Sequence, residues 1–228
     1  SSASYEQGPA APGSLMSAFS LFGAALATST ASAADADWPT DLGGATVTVT
    51  DSDGTEHVAQ ISYASSGQVN YRLPETVASG VGSVAITAGG IVTSAGLYVV
   101  DVYPNLFQFN DEGLAAANVV RVTGEQQTFE EVFTIGNNDA IEPRTLQFNG
   151  DALYLVLYGS GLGLGSSPEV SVTVNGSEID VLYGGPQGTY DGLDQYNIQL
   201  PSALAGNGKT EIVITVDGRV SNPVYVWL

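Results

Sequence analysis

Gln68-Val69-Asn70-Tyr71-Arg72-Leu73-Pro74 returns later in the chain as Gln195-Tyr196-Asn197-Ile198-Gln199-Leu200-Pro201. Downstream of each copy the match resumes, with Val84-Ala85-Ile86-Thr87-Ala88-Gly89-Gly90 against Ile212-Val213-Ile214-Thr215-Val216-Asp217-Gly218. Upstream, Thr46-Val47-Thr48-Val49 corresponds to Ser171-Val172-Thr173-Val174. Leu21-Phe22-Gly23 with Leu26 aligns with Leu157-Tyr158-Gly159 with Leu162. The chain therefore reads as two copies of one module, and a repeat constrains a fold more than any single element does. Within the copies Val alternates with Thr, the period of a half-buried strand, and turn chemistry such as Asp53-Gly54 and Asn175-Gly176 separates the runs. Short strands with regular turn signals predict an all-β protein of two immunoglobulin-like β-sandwich domains in tandem.

The expected organisation is an extended tail over residues 1–12, a first sandwich over 13–103 and a second over 104–228. Within the second, residues 104–150 form a connecting region with extra strands at 118–123 and 128–135, and residues 114–117 suit one helical turn. The first strand is expected over 15–22. A stretch of about seventeen residues, from Thr28 to Gly44, joins it to the next strand, whereas the second copy uses about six (Leu164 to Glu169). Extended, the longer connection reaches on the order of 55 Å. A strand on such a tether can pack in its own module or in a neighbour's.

Composition excludes several function classes. Against 24 acidic residues stand 5 basic ones, a net charge of −19 over 228 residues. Nucleic acid and anionic lipid both need a basic footprint, so neither is an expected partner. There is no cysteine, which removes disulfides and thiolate metal sites. The segment around Met16–Ala33 imitates a secretion signal but lacks a basic start, and its core recurs at Leu157-Tyr158-Gly159, so it reads as a strand. Because the chain starts at Ser1, a true signal is expected to have been removed upstream. No apolar run approaches the roughly 18 residues that span a membrane. Scarce lysine and abundant Gly, Ser, Thr and Asn suit an extracellular, cell-surface bacterial protein.

The order Pro12-Gly13-Ser14-Leu15, Phe22-Gly23, Leu42-Gly43-Gly44-Ala45-Thr46-Val47, Gln68-Val69-Asn70 and Leu73-Pro74 resembles the Solibacter-type C-terminal domain family. The similarity continues through Pro104-Asn105-Leu106-Phe107, Gly113-Leu114-Ala115-Ala116-Ala117-Asn118, Leu157-Tyr158-Gly159-Ser160-Gly161-Leu162-Gly163 and Gln195-Tyr196-Asn197. It covers almost everything after Pro12. The resemblance implies paired immunoglobulin-like modules of large secreted bacterial proteins, with no settled activity and no catalytic residues to transfer.

Chemistry-bearing residues are few. His57 is the only histidine, and no G-x-S-x-G elbow accompanies it, so it reads as structural. Gly159, Gly161, Gly163 and Gly165 follow a strand but precede another strand, which denies a phosphate its helix N-terminus. Asp51, Asp53 and Glu56 have the alternating oxygens of a calcium loop without its full length, so calcium is a possible ligand beside the plain hairpin turn. Eleven tyrosines and the tryptophans at 38 and 227 could present an aromatic row to a polysaccharide. Lys209, the only lysine, lies in a turn sequence, which argues against an isopeptide crosslink.

No catalytic constellation emerges, and no enzyme activity is expected. The expected function is a structural subunit of an extracellular filament or surface assembly, a head-to-tail homopolymer. In it, the N-terminal tail or first strand (Ala3, Tyr5, Gln7, Leu15, Phe19 and Leu21) would complete a sheet of the next subunit. The alternative is a cell-surface module that binds carbohydrate or another ligand.

Overall fold

The computed structural model describes every residue except 4–7, 22, 36, 166 and 167. The chain is all-β, and its described helical segments are two 3-10 turns, Asn137–Asp139 and Ser202–Leu204. It divides into two compact units. The first comprises Ser1–Tyr103 with Ser160–Ser166 and Gln187–Leu193, and the second comprises Pro104–Gly159, Ser167–Pro186 and Asp194–Leu228.

In the first unit β1 (Leu15–Phe19), β2 (Ala31–Ser32), β3 (Asp41–Leu42), β4 (Ala45–Thr50), β5 (Glu56–Ala64), β6 (Gln68–Arg72), β7 (Gly80–Ala88) and β8 (Ile91–Val99) form one continuous ladder. Its order is β1-β6-β5-β4-β7-β8. β5 is the pivot. Its first half pairs with β4 (Val47 opposite Ala59) and its second half with β6 (Ile61 opposite Tyr71), so one strand serves two sheets. Apolar side chains from both halves share one core, with Val47, Val49, Ala59, Ile61, Val69, Leu73 and Ile86 in a single cluster. The Ala45-Thr-Val-Thr-Val-Thr run alternates buried and half-buried positions, as a strand with one face on a core must.

The second unit repeats this plan after β9 (Asn105–Leu106), β10 (Ala117–Thr123), β11 (Gln126–Glu131), β12 (Phe133–Ile135) and β13 (Ile141–Pro143). Its elements are β14 (Ala152–Ser160), β15 (Val170–Val174), β16 (Ser177–Ile179), β17 (Val181–Pro186), β18 (Asp194–Leu200), β19 (Lys209–Val216), β20 (Arg219–Val220) and β21 (Val224–Trp227). One sheet runs β11-β10-β14-β18-β17 and the other β16-β15-β19-β20, with β21 also on β19. Residues that the sequence repeat aligns have aligned partners. Val47 faces Ile86 and Val172 faces Ile214, while Asn70 faces Tyr63 and Asn197 faces Tyr183. Both copies carry a register shift at the same place, between Ile61 and Tyr63 and between Val181 and Tyr183. A bulge sharpens the local twist, which suits a strand leaving one sheet for another.

Several expectations change. The second copy's counterpart of β5 is two strands, β16 and β17, broken at Asp180 where the first copy's β5 stays continuous. Leu114 and Ala115 make isolated bridges to Tyr225 and Gln108, so residues 114–117 are extended rather than a helical turn. β10 is no linker, since it sits inside a sheet between β11 and β14. The first strand ends at Phe19, and its pairing shifts the repeat frame. Phe19 faces Gln68 and Tyr158 faces Gln195, so Phe19, not Phe22, is the counterpart of Tyr158. Phe22 lies outside the described residues. The Leu-aromatic-Gly match misled because hydrogen-bond register, not local resemblance, sets which residues are equivalent.

The long connection after β1 is not a free tether. Leu26 and Ala27 are buried, and Thr28 and Ser29 N–H donate to Gly43 O at 2.9 and 3.1 Å. Ala31 pairs with Ala64, and Asp41 with Thr46. Each bond supplies a partner for main-chain groups that would otherwise be unpaired.

Candidate functional site

Residues 1–3 and 8–14 lie as a strap on the first unit. Ser2 N–H donates to Leu15 O at 2.9 Å, Ala10 N–H to Tyr98 O at 2.9 Å, and Val100 N–H to Ala10 O at 2.9 Å. Gly13 N–H donates to Leu73 O at 3.0 Å, and Leu73 N–H to Ser14 O at 2.8 Å. Small side chains permit this approach, and Ala3, Ala10 and Ala11 are buried. Pro9 and Pro12 hold neighbouring residues extended. Of the residues expected to mediate assembly, Ala3 is buried in the strap and Leu15 is half-buried in β1, while Phe19 and Leu21 are exposed. Tyr5 and Gln7 lie outside the described residues. β1 pairs with β6 of its own chain, Leu15 opposite Arg72 and Phe19 opposite Gln68, so its own strand closes that edge.

β8 ends the ladder of the first unit. Its side chains include the exposed Ile91, Val92 and Tyr98, and neighbouring β7 exposes Val81. No charged residue lies between Glu75 and Asp101.

Around the β4–β5 turn, Asp51 Oδ1 accepts from the N–H groups of Asp53 (3.0 Å) and Thr55 (2.9 Å). Its Oδ2 accepts from Ala78 N–H (3.3 Å) and pairs with His57 Nε2 (2.8 Å). The His57 hydrogen bond, with those of the three amides, holds the Asp51 carboxyl down at about 2 although burial opposes it. Asp51, Asp53 and Glu56 do not converge on a cation: Asp53 and Glu56 are exposed, and no three acidic or histidine side chains among the described residues form a metal-holding group. Asp51 instead spends its oxygens on protein donors that close the turn.

With Nε2–H donating to Asp51, His57 Nδ1 accepts from the Thr76 hydroxyl at 3.0 Å. Asp51, His57 and exposed Thr76 thus stand in the acid–base–hydroxyl order of a nucleophilic triad. Ala78 N–H, two residues beyond that hydroxyl, is already donated to Asp51 rather than presented to an oxyanion. The arrangement joins the β4–β5 turn to the loop after β6. Thr76 carried no signal in the sequence, because the loop that brings it to His57 is a tertiary contact.

The repeat also duplicates a surface patch. Gln68 Nε2 donates to Asn70 Oδ1 at 2.7 Å, and Gln195 Nε2 to Asn197 Oδ1 at 2.9 Å. In the first unit the pair lies between Phe19 and Tyr63, and in the second between Tyr158 and Tyr183. Alternation places all of these on the face away from the core. The shared Gln-x-Asn at outward positions was the available sequence signal. Trp227 offers no free platform, since the Lys209 ammonium lies 4.0 Å from the Tyr225 ring centroid and 5.5 Å from that of Trp227. Lys209 opens β19 rather than lying in a turn.

Among the described residues no helix is long and apolar enough to cross a membrane. A scan against protein-family models returned no match, and a search of curated proteins returned none either.

Proposed function

We propose that the chain is a non-enzymatic structural subunit of an extracellular surface assembly, a homopolymer built by exchanging the N-terminal strap between copies. The observation that carries this reading is how the strap is held. Its contacts are main-chain bonds to strand edges and strand ends (Ser2 on Leu15, Ala10 on Tyr98 and Val100). Such contacts depend little on side-chain identity, so an incoming strap from a second copy makes the same bonds as the resident one. Exchange of an identical segment therefore costs little, and repeated head to tail it builds an open filament.

The test uses the absence of cysteine. Ala10 bridges Val99 in parallel, which puts their Cα atoms about 5 Å apart, within disulfide reach. Mixed Ala10→Cys and Val99→Cys proteins, oxidised after assembly, are expected to yield a reducible heterodimer. Its absence in material that does assemble sinks strap exchange.

One observation favours a second reading. The duplicated amide–aromatic patch has the chemistry of a sugar-binding face, with amides for hydroxyls and rings for stacking. On this reading a neutral polysaccharide binds, and Tyr158→Ala or Tyr183→Ala weakens retention on a glycan array. An array with no retained glycan rejects it.

A further inference from the structure

We propose that β8 is a self-complementary docking edge, whose outer main chain pairs antiparallel, about a two-fold axis at Ser94, with β8 of a second copy. The strap fixes which groups point outward. Tyr98 O accepts from Ala10 N–H, and Val100 N–H donates to Ala10 O, so these residues direct their main-chain groups away from β7. Main-chain groups alternate in direction along an antiparallel strand. Val92, Ser94 and Gly96 therefore also present N–H and C=O to the outside. Among the described residues the only strand partner of 91–97 is β7, on the opposite side.

Natural edge strands are normally blunted by lysine, proline, an inward charge or a bulge. The β8 sequence, Ile-Val-Thr-Ser-Ala-Gly-Leu-Tyr-Val, has no charge and no proline, and its pairing with β7 runs without a register shift from Ala88–Ile91 to Gly80–Val99. Ile91 is 66% exposed and Val92 62%.

Charge selects a second copy as the occupant. Two chains of net charge −19 repel wherever their acidic surfaces meet. Between Glu75 and Asp101 there is nothing to repel, so copies can approach here at least cost, while an acidic or basic peptide gains nothing. Ala10 already extends this edge at Val99, which shows that the edge accepts an added strand. A two-fold axis at Ser94 sets Ser94 opposite Ser94, Val92 opposite Gly96, Thr93 opposite Ala95 and Ile91 opposite Leu97. Every facing pair is apolar or small, with no like charges. Such a contact is isologous and closes as a pair, so it stands apart from the head-to-tail exchange and would join two filaments side by side.

A single cysteine tests it. Directly opposed hydrogen-bonded residues have Cα atoms about 5.5 Å apart, within disulfide range. Full-length Ser94→Cys is expected to oxidise to a reducible covalent dimer. Asn207→Cys, exposed in a loop of the second unit, should remain largely monomeric at the same concentration. Ser94→Lys and Ser94→Glu proteins should each self-associate ~5-fold or more weakly by sedimentation, and their mixture should recover association. Crosslinking of Ser94→Cys no faster than the Asn207→Cys control, or charged variants that associate like the parent, overturns the β8 contact. A Ser94 crosslink without an Ala10–Val99 crosslink rejects strap exchange alone, and the reverse rejects β8 pairing alone.

Discussion

Replacing Tyr196 by Phe should make the protein more stable, an uncommon sign for a core substitution. Tyr196 is 0% exposed, faces Leu157 and Gly184 across its sheet, and packs against Gly159. Its hydroxyl finds no hydrogen-bond partner among the described residues. Burial, with the Asp194 charge, pushes the phenol up, so it stays neutral across any practical assay. A buried hydroxyl without a partner costs roughly 1–3 kcal/mol relative to water. Deleting one oxygen leaves too small a void to cancel that, so a gain of ~1–2 kcal/mol is expected. Urea unfolding followed by Trp227 fluorescence in a Trp38→Phe background reports on the second unit. With a slope of roughly 1–3 kcal/mol/M, the midpoint should rise by about 0.3–2 M at unchanged slope. A midpoint that falls by a similar amount refutes the reasoning, because the hydroxyl then has a partner.

Other outcomes follow from the same packing. A Cβ at Gly159 would lie 2.6 Å from Asn105 O and 3.2 Å from the Tyr196 ring, so Gly159→Ala should cost ~1–3 kcal/mol in the same assay. Val47 and Val172 are equivalent fully buried positions, and Val47→Ala and Val172→Ala should each cost ~2 kcal/mol, read as two matched shifts in the unfolding of their own units. Asp51 titrates near 2 when folded against an ordinary 3.8, mainly through His57, so its contribution to stability is present above about pH 4 and lost as pH falls towards 2. Asp51→Asn should therefore flatten the acid dependence of the unfolding midpoint between pH 4 and 2, and an unchanged slope there counts against the turn assignment.

The repeat was the part of the fold that the sequence made legible, because it records pairing as well as pattern. Val47 and Val172 match in sequence, and so do their partners Ile86 and Ile214. Legibility stops where an element depends on what crosses over it. Nothing local ends β1 at Phe19, and the Gly23–Gly159 match pulled the frame off because it ignored the ladder to Gln68 and Gln195. The break at Asp180 divides a stretch that the first copy traverses in one strand. Among the candidate residues, the Asp-Ser-Asp-Gly turn was visible, but Asp51 as a four-donor acceptor was not, since Ala78 and Thr76 reach it and His57 from another loop. β8 looked like any other apolar strand. Only the topology, which leaves it at the end of the ladder, turns its uncharged sequence into a surface.

Electron microscopy of the purified full-length chain beside a variant lacking residues 1–12 addresses self-assembly through the strap most directly. Linear polymers from the intact chain and dispersed, folded particles from the shortened one are the expected result. Polymers that persist unchanged without those residues, or an intact chain that stays monomeric at every concentration, contradict it.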